Sequence, residues 1–198
     1  MIYSDIRRLV LSHIDRYSTS GTPIPSAYSL QQDDENRVPL FVNAGMLAVR
    51  AKTNRKRIFT PIAGEVLGQW RRYALPQDCR SVVSGGVWQL AAGEYRRCHD
   101  FCLQGGRYIL LPPGEGYSVE YRAKPLLLPP DPTANYDLQE DEEEIYAAAL
   151  YAASALVRRA DEFACSALYR EFLALTDAMI PAPGAEAAVM SDPYGGDA

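Results

Sequence analysis

The densest set of side chains capable of metal or nucleophile chemistry is Cys98-His99-Asp100-Phe101-Cys102. Thiolates and imidazoles bind zinc, and a cysteine next to a histidine is the raw material of nucleophilic catalysis. The spacing argues against both. A zinc knuckle needs Cys-x-x-Cys and a second pair downstream, whereas Cys79 and Cys165 are far away in the chain and unpaired in pattern. On an extended strand Cys98 and Cys102 face one side and His99 the other, so a Cys98–His99 pair points apart. The second histidine, His13, falls beside an apolar helical stripe and reads as a packing or surface residue. The expectation is no catalytic residue, no metal and no cofactor, with the thiols reduced. A small enzyme using Cys98 or His99 is the alternative that metal analysis and thiol titration would reveal.

Charge offers a different kind of site. Arg50, Lys52, Arg55, Lys56 and Arg57 form a basic run at the end of a helical pattern, where cations complement the helix dipole. The same run could meet phosphate or an acidic neighbouring subunit. Glu140 to Glu144 is an acidic run at the start of another helix; consecutive carboxylates spread around a helix instead of converging on one point. A net charge of −5 argues against nonspecific nucleic-acid binding by the chain as a whole. The segments Ser84-Gly85-Gly86 and Gly114-Glu115-Gly116 lack the trailing Lys and Ser/Thr of a phosphate-binding loop and read as turns.

The elements behind these residues divide by periodicity. A first helix is expected over residues 4 to 17, with Ser4 as N-cap and Ile6, Leu9, Val10 and Ile14 on one face. Residues 18 to 32, polar with two prolines, form a linker that packs as an arm or is partly mobile. A second helix is expected over 34 to 53, where Pro39 fits a first helical position or breaks a shorter lead-in. From Ile58 to Leu128 the pattern changes to short strands and turns. Strands are expected at 69 to 76, at 80 to 83 and 87 to 90 as a hairpin across Ser84-Gly85-Gly86, at 94 to 103 and 107 to 111 across Gln104-Gly105-Gly106, and at 117 to 121. The long stretch from Gln139 to Ile180 is helical and rich in alanine. As one rod its 42 residues would span about 63 Å, against a radius of gyration of about 16 Å for a domain of this size. A hairpin or sharp kink near Arg159 is therefore expected, with Asp161-Glu162 starting the next helix. The fold class is α+β: a bundle of about four helices with an inserted small antiparallel β-sandwich or sheet domain. The expected division is helices and linker in 1–57, β domain in 58–130, helical hairpin in 131–180, and a flexible tail in 181–198.

The order of these pieces carries a resemblance. Helix, polar linker, helix with Phe41-Val42-Asn43-Ala44, then Tyr73-Ala74-Leu75-Pro76-Gln77-Asp78, glycine-turned hairpins, Tyr117-Ser118-Val119-Glu120-Tyr121 with Pro125, and a helix with Tyr169-Arg170-Glu171-Phe172 resemble the head-to-tail adaptor proteins of tailed phages, the group that includes tail tubular protein A. The resemblance spans about residues 2 to 180. The tail beyond and the Cys98–Cys102 pair have no place in the family pattern. The resemblance implies a non-enzymatic virion protein of the neck, made in the host cytoplasm. It implies a homo-oligomeric ring, usually of twelve copies, that binds the portal protein and offers a platform to the tail or a stopper protein. Genomic DNA would pass through without sequence-specific binding. It further implies subunit contacts through the alanine-rich faces, with Ala149, Ala152 and Ala153 as candidates. Opposed charges, Arg55, Lys56 and Arg57 against Glu142, Glu143 and Glu144, would pair between neighbours. The tail residues Pro183, Met190, Pro193 and Tyr194 become candidates for portal contact.

Two other readings stay open. One is another phage neck or tail ring component, such as a stopper, tail terminator or baseplate piece. The other is a nucleic-acid-binding module using residues 50–57. No apolar run approaches the ~20 residues of a transmembrane helix, and no signal peptide is evident at the start, so no membrane partner is expected.

Overall fold

The computed structural model describes residues 1–16 and 36–180. The expected linker at 18–32 and the expected tail at 181–198 therefore lie outside the described residues. The described chain has four helices, α1 (Tyr3–Arg16), α2 (Val38–Thr53), α3 (Glu142–Val157) and α4 (Glu162–Ala178). Eight strands lie between α2 and α3: β1 (Lys56–Phe59), β2 (Glu65–Leu67), β3 (Trp70–Ala74), β4 (Cys79–Ala91), β5 (Glu94–Arg97), β6 (Cys102–Gln104), β7 (Tyr108–Leu111) and β8 (Tyr117–Ala123). The fold is α+β, with two small antiparallel sheets inserted in a helical unit. The chain divides into a helical unit, Met1–Thr53 with Leu127–Ala198, and a sheet unit, Asn54–Leu126.

In the helical unit α3 packs against all three other helices. Its alanines make this possible, because small side chains allow close approach on several faces at once. Ala148, Ala149 and Ala152 join Ile6 and Val10 of α1, Val42 and Met46 of α2, and Leu168 and Phe172 of α4 in one buried core. The closest approach is at Gly45 of α2, where an added Cβ would lie 2.7 Å from the Ala148 carbonyl oxygen. The α3–α4 break falls where expected. Val157 ends α3, its carbonyl accepts the Ala160 and Asp161 amides at 2.9 Å, and the Asp161 carboxylate caps α4 by accepting from the Ala164 amide at 2.8 Å. Asp141 caps α3 in the same way through the Glu143 amide.

The start of α1 differs from expectation. Ser4 is not the N-cap; the helix begins at Tyr3. The amides of Tyr3 and Ser4 donate to the carbonyls of Tyr136 and Ala134, and Ile2 bridges to Asp137. A returning segment thus satisfies the first amides in place of a side chain. Helix α2 begins at Val38, with Pro39 inside its first turn, and residues 34–35 lie outside the described residues. It stops at Thr53, where Asn54 takes a positive φ of 47°.

The sheet unit is a sandwich of two four-stranded sheets, ordered β1-β8-β4-β5 and β2-β3-β7-β6. Val87, Tyr117 and Val119 from the first and Tyr73, Ile109 and Leu111 from the second form its core. β8 keeps the expected alternation, with Tyr117, Val119, Tyr121 and Ala123 buried. Two expectations fail here. Ser84-Gly85-Gly86 is not a hairpin turn: residues 79 to 91 are one strand, with Val82 opposite Tyr121 and Val87 opposite Val119, so 83–86 bulge out of the ladder. The actual turn is Ala92-Gly93, both at positive φ as a two-residue hairpin loop requires. The stretch 94–103 is not one strand, since β5 and β6 belong to different sheets and residues 98–101 cross between them. The Gly105-Gly106 turn between β6 and β7 is as expected.

Gly45→Ala should force α2 and α3 apart and cost about 1–3 kcal/mol, the range for overpacking a tight contact. Urea denaturation measures it, and an unchanged midpoint would show that the backbones need not touch there.

Candidate interaction surfaces

The basic run at 50–57 splits into three environments. Arg50 points into the helical unit and is 2% exposed. Its Nη2 donates to Glu140 Oε2 at 2.8 Å and to Glu144 Oε2 at 2.7 Å, and both carboxylates are buried. Lys52, on the same last turn of α2, pairs with Asp177 of α4 at 2.9 Å. Lys56 and Arg57 lie on β1. They pair within the sheet unit, Lys56 with Glu120 at 3.4 Å and Arg57 with Asp78 at 2.8 Å. Arg55 is half-buried beside them, and its carbonyl accepts the Ala123 amide. The opposed charge runs were expected to pair between neighbouring copies. Arg50, Glu140 and Glu144 pair inside one chain instead, because the end of α2 lies against the start of α3.

Other candidates sort by burial. Glu144 is buried in that ion cluster, and Ala149, Ala152 and Ala153 are fully buried in the chain's own core. None of these four is presented to another subunit. α3 runs through the middle of its own unit, so its alanine faces are used up by α1, α2 and α4. Glu142 and Glu143 do face outward. They rim a groove of ≈470 Å³ whose floor is Met1, Tyr146, Leu175, Ala178 and Met179. Pro183, Met190, Pro193 and Tyr194 lie outside the described residues.

Sequence reasoning missed the outward face of α2. From Val38 to Val49 the helix carries no charged residue. Its solvent side is Leu40, Ala44, Leu47 and Ala51, with Leu40 65% and Leu47 51% exposed. The spacing of i, i+4, i+7 and i+11 was readable, but only the inward stripe was assigned. Also missed was Asn43, whose side chain donates to the Leu128 carbonyl at 2.9 Å and accepts the Leu128 amide at 2.8 Å.

The thiol–imidazole segment is not a strand as expected. Cys98 follows β5, its thiol contacts the Asp100 carbonyl at 3.4 Å, and Cys102 is exposed on β6. Among the described residues no group of three or more His, Cys, Asp or Glu side chains is placed to hold a metal ion. His13 is buried, its ring meeting Tyr146 edge-on with centroids 4.9 Å apart.

Around Arg57, Asp78 accepts a hydrogen bond from the Tyr121 hydroxyl at 3.1 Å. Burial first, then the Asp78 hydrogen bond and charge, raises the Tyr121 pKa above its ordinary 10.0. Burial and then the charge of Asp78 raise the Cys79 pKa above 9.0, and burial raises those of Cys98 and Tyr117. A raised folded-state value means that the folded protein holds the proton where the unfolded chain releases it. Stability is thus fully present below the unfolded values and is lost as pH rises past them. The urea midpoint should be flat near neutrality and fall from about pH 9, the unfolded thiol region. Tyr117→Phe with Tyr121→Phe should flatten the part above about pH 10, and an unaltered slope in that double variant would refute the assignment.

Arg50→Met should cost about 3–5 kcal/mol, since it removes the buried guanidinium that donates to both carboxylates. Adding Glu140→Leu and Glu144→Leu should recover most of that loss in urea denaturation. A triple variant as unstable as the single one would show that packing, not charge pairing, holds this corner.

No helix among the described residues is long and apolar enough to cross a membrane. No protein-family model matches the chain, and no curated protein matches it.

Proposed function

We propose that this protein is a structural virion subunit, a head-to-tail adaptor that forms a ring beneath the portal of a tailed phage, extends the DNA channel and joins capsid to tail. The observation that carries this reading is the uncovered apolar face of α2. A helix that is apolar all round is normally covered on all sides, and here one side, Leu40 to Ala51, is left open by the described residues. A subunit flanked by copies of itself would close it. The insertion of an antiparallel sheet unit between α2 and α3 also agrees with the architecture that the resemblance implies. The alternative of a nucleic-acid module at 50–57 is weakened, because Arg50 is buried and Lys56 and Arg57 already hold carboxylates.

The test mixes the purified chain with portal rings and follows co-sedimentation and ring formation by electron microscopy. The adaptor reading expects a ring on the portal, and Leu40→Glu with Leu47→Glu should abolish it while leaving the circular dichroism unchanged. Surface positions of this kind are close to neutral for folding, within about 0.5 kcal/mol. A chain that never co-sediments with the portal would overturn the adaptor role and favour a stopper, tail terminator or baseplate component.

A further inference from the structure

The net charge of −5 conceals a division. The sheet unit holds 11 of the chain's 20 Lys and Arg and 6 of its 25 Asp and Glu, so it is +5 and the remainder is −10. Of the 19 acidic residues in that remainder, six lie outside the described residues.

The positive charge has a face. Cross-strand partners point to the same side of a sheet. In the sheet β1-β8-β4-β5, Lys56 lies opposite Arg122, Ile58 opposite Glu120, Arg97 opposite Trp88, and Tyr95 opposite Leu90. This side is turned away from the core, since the alternate residues of β8 are the buried ones. Its one carboxylate, Glu120, is taken by Lys56, and Arg122 makes no ion pair among the described residues. Along the sheet Ile58, 67% exposed, lies between the Lys56–Arg122 row and the Trp88–Arg97 row, and Tyr95, 63% exposed, and Leu90 form the next row beyond Arg97.

We infer that this outer face docks on the helical unit of a second copy, sheet unit to helical unit, at the groove rimmed by Glu142 and Glu143 and floored by Met1, Tyr146, Leu175 and Met179. Cations with apolar side chains beside them match carboxylates around an apolar floor. Complementary potentials of this kind set partner choice and register. The contact is heterologous, and a heterologous contact generates a ring when its rotation closes. Nucleic acid fits the face less well. The Trp88 ring carries the Arg97 guanidinium, its carbon 4.8 Å from the centroid, which leaves Tyr95 as the exposed aromatic ring of the face. Exposed Ile58 and Leu90 have no counterpart on a phosphate backbone.

The inference rests on the ring reading for its biological meaning, but it is tested on the full chain alone. Self-association is followed by sedimentation equilibrium at about 50 mM and about 300 mM salt, where screening differs strongly. The unaltered chain should associate, and more weakly at the higher salt. Arg97→Glu with Arg122→Glu, and separately Glu142→Arg with Glu143→Arg, should each raise the dissociation constant at least about tenfold. Mixing the two variants should restore association, because each then carries the complement of the other; that rescue also shows that both are folded. Failure of the mixture to associate, or reversal variants that associate like the unaltered chain, would overturn the contact and leave the portal-binding test untouched. An unaltered chain that stays monomeric at low salt would overturn it as well. So would duplex DNA binding that Arg97→Glu with Arg122→Glu abolishes while self-association persists, which would assign the face to nucleic acid.

Discussion

The helical unit is organised around one buried ion cluster, Arg50 with Glu140 and Glu144. Moving charges out of water costs several kcal/mol per ion, and here two carboxylates share one guanidinium. Both hydrogen bonds come from Nη2, while Nε and Nη1 are buried and make none among the described residues. Such a cluster is a poor source of net stability compared with a well-packed apolar replacement. Its effect is geometric. Arg50 is near the end of α2, Glu140 precedes α3, and Glu144 is in the first turn of α3. A rotation of α3 by one residue, about 100°, would swing Glu144 away and leave the guanidinium half-compensated.

That constraint propagates along the helix pair. With the charged end fixed, Gly45 meets Ala148 one turn and a half further back on α2, and the backbones come into contact there. Asn43 then pins Leu128 through both its amide atoms, holding the segment that returns from the sheet unit. The same returning segment caps α1 through the carbonyls of Ala134 and Tyr136. Lys52 with Asp177 ties α2 to α4 at the exposed rim. Its ion pair is exposed enough to contribute little energy, but it lies on the helix end whose position the buried cluster has already set.

What could be read from the sequence was whatever depends on local chemistry. The break between α3 and α4 was visible because Asp161 is a capping residue placed where a straight rod would outgrow the domain. β8 was visible because its alternation of Tyr and Val with polar residues is strict. Ser84-Gly85-Gly86 and Gln104-Gly105-Gly106 look alike locally, yet one bulges within a strand and the other turns between strands. Pairing with β8, about 35 residues further along the chain, decides the difference, and no window over residues 80–90 contains that information. The converse holds for Ala92-Gly93, where an alanine at positive φ gives no compositional sign of a turn. At the candidate surfaces Glu144, Ala149, Ala152 and Ala153 are buried in the chain's own core, whereas Glu142 and Glu143 face outward. Alanines at helical spacing say that something packs closely, and only the fold says whether the neighbour is the same chain.

The charged runs show the same limit more sharply. Arg50 to Arg57 is contiguous in sequence, but the change from helix to strand at Asn54 sends Arg50 into one core and Lys56 and Arg57 to the carboxylates of another unit. Contiguity in sequence therefore does not give these residues common surroundings. The cations that do share a face, Arg97 and Arg122, are 25 residues apart and are joined only through β4, the strand between β5 and β8. Net charge hides them in the same way, because it sums over two units of opposite sign. Screening limits exposed charges to a range of about 8–10 Å, so a partner responds to the face in front of it and not to the total. For this chain the relevant electrostatic quantity is the contrast between the units, which survives however strongly acidic the whole becomes.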